Sequence, residues 1–446
     1  MKTLSKFSLI LSIVVASEGN GFGAQLDFEL GQLFSSAEPP IAIFSSDFNN
    51  DRKTDIAAVN YSSNSVSIYL NRENSFEKIQ ECSVGENPRF ISGNDFNNDG
   101  KIDLVAVNRY SHNISILIND GAGLFNGVMS YDSDIAPASA TCADFDNDSA
   151  IDIAVANEGG ESICIFLNDG NGIFTKKYCF DAGDSSLAIC SADFDNDGDI
   201  DIANAVYSAD IWLNDGNGFF GNKIRCETGL YPTAIYADDL NGDNIPDLAV
   251  ANRGSNDLTV LLNSGHADFE SKINYETGQY PTALICADIN GDLKKDIIVA
   301  NKDSGDITTL INKDGGFETT ANSINQPNPV SIICTDLDND GKNDIVVSSE
   351  TETAININKN ITIFPFIRGN ANSDEHIDLS DAVTIIRHCF GNYKIRCSDA
   401  ADANDDGLIN IADAIYILQY LFAAGPKPPL PFPAIDYDQT PDDYEC

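Results

Sequence analysis

Along most of the chain, apolar and polar residues alternate in short runs rich in β-branched side chains. Ile-Ala-Val-Ala-Asn at 153–157 and Ser-Ile-Cys-Ile-Phe-Leu-Asn at 162–168 are typical. A period of two with this composition predicts strands. Turn signals separate the runs: Asn119-Asp-Gly-Ala-Gly, Asn168-Asp-Gly-Asn-Gly and Asn214-Asp-Gly-Asn-Gly, each followed two residues later by Phe125, Phe174 or Phe220. The pattern predicts about four short strands per unit, with no helical periodicity before residue 378.

One motif paces these strands. Its seven copies are Asp47, Asn49, Asp51 and Asp55; Asp95, Asn97, Asp99 and Asp103; Asp144, Asp146, Asp148 and Asp152; Asp193, Asp195, Asp197 and Asp201; Asp239, Asn241, Asp243 and Asp247; Asp288, Asn290, Asp292 and Asp296; and Asp336, Asp338, Asp340 and Asp344. Successive first Asp residues lie 48, 49, 49, 46, 49 and 48 apart, which marks one structural unit per repeat. Seven four-stranded units predict an all-β fold, a seven-bladed β-propeller. A solenoid is the alternative, and closure separates the two. The last unit runs out after an expected third strand at Asn360–Phe366, while residues 25–34 resemble an orphan outer strand. That N-terminal strand is expected to complete blade seven and remove the open edges a solenoid must cap.

Charge sharpens the picture. Asp and Glu number 69 against 26 Lys and Arg, a formal net charge of −43, yet 42% of residues are hydrophobic. Such a surface repels nucleic acid and anionic lipid, and so apolar a chain is not an acidic disordered one. The seven motifs hold 24 of the 69 carboxylates. Asp or Asn at positions 1, 3, 5 and 9 of a tight loop, with a backbone carbonyl at position 7, makes an all-oxygen cage suited to Ca2+. Without a cation, each close carboxylate pair repels by roughly 1–4 kcal/mol. Good hairpin chemistry is the alternative for a single copy, but the ninth-position Asp recurs seven times although no turn demands it. About seven structural calcium ions are expected in the propeller. Arg52 and Ser149 replace Gly at position 6 in copies one and three and weaken those loops.

The run from Asp-Phe-Asn-Asn-Asp-Gly to Asp-Leu-Val-Ala-Val-Asn (95–108) and its copies resembles the FG-GAP or VCBS repeats of bacterial secreted propellers and of the integrin α-subunit head, over about residues 25–366. The resemblance implies calcium in the hairpin loops between the first two strands of a blade, and a role in adhesion or ligand binding.

After Phe366 the pattern changes to two loop-helix units. Asp402, Asn404, Asp406 and Asp413, with Gly407 at position 6, form a calcium loop ahead of an apolar helix at 414–422. Thirty-two residues earlier, Asn370, Asn372, Asp374 and Asp381 repeat the arrangement in degraded form, with Glu375 in place of Gly, before a helix at 382–390. The pair resembles a type I dockerin over residues 367–425, which implies one or two further Ca2+ and a cohesin-like protein partner. Leu379-Ser380 and Ile411-Ala412 stand where many cellulosomal dockerins carry paired hydroxyl residues, a departure from the cellulosomal pattern. A helical pair that only stabilises the chain end is the structural alternative. Residues 426–446 read as a Pro-rich acidic tail, stiff and extended from Gly425 to Pro433.

Lys2 and Lys6 ahead of the apolar run Phe7–Ala16, with small and polar residues to Ala24, read as an export signal over residues 1–24, cleaved between Ala16 and Ala24. The run is too short to span a bilayer, and no other segment is long enough, so a secreted or cell-surface location is expected. Of eleven cysteines, Cys142, Cys286 and Cys334 recur two residues before a first Asp, and Cys82 and Cys226 share another position. All five are expected as buried thiols. Only Cys389, Cys397 and Cys446 are expected as disulfide partners.

No catalytic constellation is evident, and none of the four His residues (His112, His266, His376, His388) sits in one. Less faithfully repeated loops offer Arg109-Tyr110, Tyr207, Tyr231-Pro232, Arg253 and Tyr280-Pro281 as contacts for a protein or polysaccharide ligand. Asn60, Asn108, Asn157, Asn252 and Asn301 read as strand-end hydrogen bonders, and Trp212 as core. The expectation is a secreted calcium-binding, ligand-binding propeller tethered by its C-terminal module. A polysaccharide lyase or glycoside hydrolase on the same scaffold is the alternative.

Overall fold

The computed structural model describes residues 26–429 except 27, 37, 73–74, 184–185, 314–315, 321–323, 363–367, 373–375, 392, 394, 396, 406–407 and 424. The expected export signal, Asp374, Asp406, Cys446 and most of the tail lie outside the described residues. The chain divides into two compact units, Gly31–Asn358 and a second made of Met1–Leu30 with Lys359–Cys446.

Seven antiparallel sheets form a seven-bladed β-propeller. Blades one to six each start a new sheet, at Pro40, Pro88, Pro137, Ala188, Pro232 and Pro281. Blade seven joins strands Pro329–Thr335, Asp344–Ser349 and Ala354–Asn360 to the N-terminal strand Phe28–Ser35, which pairs with Ala354–Asn360. Closure by the N-terminal strand is therefore as expected. The third strand of that blade is not Asn360–Phe366 but ends at Asn360, the position at which Asn71, Asn119, Asn168 and Asn214 end the third strands of other blades.

Burial grades across each blade. Every second strand, such as Asp103–Asn108 and Asp247–Asn252, is buried at all positions, whereas fourth strands such as Phe125–Asp132 are mostly exposed. Neighbouring blades are stitched by a repeated contact. The Phe at loop position 2 meets the Phe that opens the fourth strand of the next blade edge-on: Phe48 with Phe125, Phe96 with Phe174 and Phe145 with Phe220, at 5.4–5.5 Å between ring centroids. Beside them, in blades one to six, the Asn at the end of the third strand donates its Nδ2 to the position-2 carbonyl of the preceding blade. Asn119 reaches Phe48, Asn168 reaches Phe96 and Asn263 reaches Phe194, at 2.8–2.9 Å. Asn71 of blade one makes the same bond to Leu337 of blade seven at 2.8 Å, so the ring is also sealed by side chains.

Cysteine usage differs from expectation. Cys164 and Cys179, directly opposite on the third and fourth strands of blade three with Cα atoms 4.0 Å apart, form a disulfide. Cys82, Cys142, Cys190, Cys226, Cys286, Cys334 and Cys389 are free, and Cys397 is disulfide-bonded. This pair is set within one blade by cross-strand register, which the spacing of cysteines outside the repeats does not carry.

In the C-terminal unit, α1 (Leu379–Phe390), α2 (Ser398–Ala401) and α3 (Ile411–Phe422) pack around Ala382, Ile385, Ala414 and Ile417. The two long helices begin three residues before the sequence boundaries because Asp378 and Asn410 cap them, in capping boxes closed by Asp381 and Asp413. Among the described residues, no helix is long and apolar enough to cross a membrane.

Candidate functional site

Each Asp motif forms the hairpin loop between the first and second strands of its blade, at one end of the propeller. The loops share one backbone conformation. Position 4 takes a positive φ in all seven: Asn50, Asn98, Asn147, Asn196, Gly242, Gly291 and Asn339. Position 6 does so as well, at Arg52, Gly100, Ser149, Gly198, Asn244, Leu293 and Gly341. Asn and Gly at position 4 are thus a conformational requirement. Four loops rather than two lack Gly at position 6, Asn244 and Leu293 adding to the two the sequence singled out.

The first Asp organises this curl. Its Oδ2 accepts the position-6 N–H in every loop at 2.7–3.1 Å, from Arg52 on Asp47 to Gly341 on Asp336. The ninth Asp has a role the sequence pattern did not announce. Its Oδ2 accepts the position-2 N–H, and its Oδ1 accepts the N–H of the Asn ending the third strand. For Asp103 these are Phe96 at 3.1 Å and Asn119 at 2.7 Å; for Asp152 they are Phe145 at 2.9 Å and Asn168 at 2.8 Å. The fold itself therefore demands a ninth-position acid, and its recurrence is not evidence of metal by itself. Burial raises these carboxyls from an ordinary 3.8 to about 6 at Asp55, Asp103 and Asp247, and to about 7 at Asp152, Asp201 and Asp296. The two amides pull each one down, and the other loop carboxylates push it up.

Position 3 divides the loops into two kinds. In three of the four loops with Asn there, the amide folds onto the position-5 carboxylate: Asn49 donates to Asp51 at 3.1 Å, Asn97 to Asp99 at 3.3 Å and Asn290 to Asp292 at 3.2 Å. With Asp there, three carboxylates converge. Oxygens of Asp144, Asp146 and Asp152, of Asp193, Asp195 and Asp197, and of Asp336, Asp338 and Asp340 lie within 4.8 Å of one another in each group. Asp146 Oδ1 and Asp195 Oδ1 are buried without a hydrogen-bond partner, and burial followed by the position-5 carboxylate raises both side chains above the usual range. An all-oxygen donor set with an orphaned, inward carboxylate oxygen fits a hard cation.

The C-terminal loops repeat the theme. Asp381 and Asp413, both fully buried, accept from Asn372 and Asp378 and from Asn404 and Asn410 respectively, at 2.8–3.3 Å. Asn370 and Asp402 are buried nearby in sequence. Arg368, which the sequence reading passed over, is fully buried; it donates to the Asp402 carbonyl at 3.2 Å and pairs with Asp405 at 3.1 Å.

The residues singled out on less regular loops lie at the other end of the second strands. Tyr207, Tyr231, Arg253 and Tyr280 come together there, joined by Lys302. Arg109 is paired with Glu158, and Tyr110 is exposed. Asn60 and Asn108 hydrogen-bond the following strand as expected, for example Asn60 Nδ2 to Ser67 Oγ at 2.7 Å. Trp212 is only half-buried, its Nε1 donating to Asn204 at 2.9 Å.

A repeat profile described as FG-GAP-like matches residues 95–155, 144–204, 239–299 and 288–347. Each match runs from one Asp loop to the second strand of the next blade, so FG-GAP-like repeats lie within the propeller over residues 95–204 and 239–347. None of the curated proteins is similar enough in sequence to match the chain. Among solved structures, BBS1N in its complex with ARL6DN superposes with a TM-score of 0.53 at 12% identity, covering 74% of this chain and 96% of that one. A Lactobacillus plantarum protein gives 0.52 at 14% identity, with 66% and 86% covered. An Agrocybe aegerita lectin that recognises terminal N-acetylglucosamine gives 0.46 at 17%, with 65% and 81% covered. At these identities the likeness is one of fold.

Proposed function

We propose that this protein is a secreted, calcium-stabilised ligand-binding propeller of adhesive type, attached to a cohesin-like protein through its C-terminal module. The observation that carries the reading is the pair of orphaned oxygens, Asp146 Oδ1 and Asp195 Oδ1, inside three-carboxylate loops. Calcium there would offset the repulsion among the loop acids, and the chain's own part is to hold the loops open through their position-1 and position-9 hydrogen bonds. Loops three, four and seven, with Asp at position 3, would bind ahead of the four with Asn. The attachment surface is supported by apolar side chains left exposed at matching places on two helices: Leu379, Val383 and Phe390 on α1, and Ile411, Ile415 and Phe422 on α3.

Calcium titration of the EDTA-treated chain, followed by calorimetry and thermal melting, tests this. At calcium ten times a weak extracellular Kd, each site would add about 1.4 kcal/mol. Asp146→Asn and Asp195→Asn should each remove one of the tighter sites. Identical melting with calcium and with EDTA would reject the reading.

A further inference from the structure

The second strand of each blade starts at its Asp loop and ends at the opposite face. On that face, blades four to six carry a contiguous group of tyrosines and cations. Tyr231 and Tyr280 each precede a Pro and hold positive φ values of 52° and 58°. Their carbonyls accept the N–H groups of Arg253 and Lys302 at 3.0 and 2.9 Å. Arg253 Cζ stands 6.0 Å from the Tyr231 ring centroid and 5.6 Å from that of Tyr280, and its Nη1 donates to the Tyr280 hydroxyl at 3.1 Å. Lys302 Nζ lies 6.0 Å from the Tyr280 ring, and Tyr207 extends the group with its ring 6.4 Å from Tyr231. Tyr207 and Tyr231 are 61% and 55% exposed.

Resting on the ligand-binding reading above, we infer that this group is the ligand contact and that it takes a polysaccharide bearing carboxylates, of uronic acid type. Three features point there. Arg253 has no carboxylate partner among the described residues, whereas Arg109 is paired with Glu158 and Lys302 with Glu350. One of its five donors is used by Tyr280, which leaves a planar fork for a carboxylate. The same two-residue unit, Tyr before Pro with a cation beside it, recurs on consecutive blades as Tyr231 with Arg253 and Tyr280 with Lys302. A periodic contact suits a periodic polymer, the rings taking the apolar face of a sugar and Arg253 its acid. The acidic loops do not oppose this, because a six-residue strand of roughly 20 Å separates them from the group, more than two Debye lengths of about 8 Å at physiological salt.

The test measures binding of the full chain, in calcium and physiological salt, to an oligogalacturonate, to its methyl ester and to a polyglutamate peptide of matched charge. The acid sugar should bind, with esterification or Arg253→Gln each weakening it about tenfold and the two losses not compounding. Lys302→Gln should weaken it less, Arg89→Gln, at an exposed position on the first strand of blade two (Pro88–Asn94), should change nothing, and all variants should melt like the parent. Unchanged binding by Arg253→Gln, equal binding of the ester, or preference for the peptide would overturn the inference. Retention of a neutral polysaccharide or a protein, untouched by Arg253→Gln, would overturn it while leaving the ligand-binding reading standing. Failure to retain any saccharide or protein would overturn both.

Discussion

At the scale of single residues, the loops concentrate backbone strain where the Asp side chains are set. Leu293 holds φ at 71° and is half exposed, so its side chain brings no burial to compensate for a conformation that costs an L-residue about 1 kcal/mol. Leu293→Gly is expected to stabilise the protein by about 0.5–1 kcal/mol in chemical denaturation, with calcium response retained; destabilisation would show that the side chain packs usefully. One register position also shows how a constant backbone accepts different chemistry. Facing the fourth strand, four residues before the Asn that ends the third, stand Ser67 opposite Glu81, Ser115 opposite Ser130, the Cys164–Cys179 disulfide, and Asp210 held at 2.8 Å by both Nε and Nη2 of Arg225.

At the scale of elements, the blade interface is the repeating unit of stability. Asn168 uses its backbone N–H on Asp152, its Nδ2 on the carbonyls of Phe96 and Ile151, and its Oδ1 on Gly170. Asn168→Ala keeps the backbone N–H on Asp152 but strips the carbonyls of Phe96 and Ile151 and the N–H of Gly170 of their side-chain partner, and should cost about 2–4 kcal/mol, read as a lower urea midpoint at unchanged slope. A loss no larger than that of an exposed Asn would show that the stitch is dispensable. The fourth strands add a second contact: Tyr131 and Tyr178 accept the N–H of Phe174 and Phe220 in the next blade at 3.2 and 2.7 Å.

At the scale of the whole molecule, the buried ninth-position acids set the response to pH. Their folded-state values, about 6 to 7, lie above the ordinary 3.8, so between roughly pH 4 and 7 the native state binds more protons than the unfolded chain. Their contribution is therefore fully present at low pH and is lost as pH rises through that window. In EDTA, the melting temperature should climb as pH falls from 7.5 to about 5. With calcium bound as proposed, its increment over EDTA should shrink on acidification, because burial and the neighbouring carboxylates make Asp146 and Asp195 hold protons more readily than ordinary carboxyls. A melting temperature in EDTA that falls on acidification would refute the assignment.

How much of this was legible in the sequence follows the range of the interactions. Strand periodicity, the spacing of Asp47 to Asp336 and the polar turns are local signals repeated seven times, so blade number, strand number, loop position and the place of the closing strand could be read directly. The C-terminal loops and helices were legible for the same reason, apart from helix starts decided by the caps Asp378 and Asn410. Only the folded chain assigned the ninth Asp to two distant amides, paired Cys164 with Cys179, buried Arg368 and gathered Tyr207, Tyr231, Arg253, Tyr280 and Lys302 on one face. Those facts depend on cross-strand register and on which blade ends meet in space, and linear spacing carries neither.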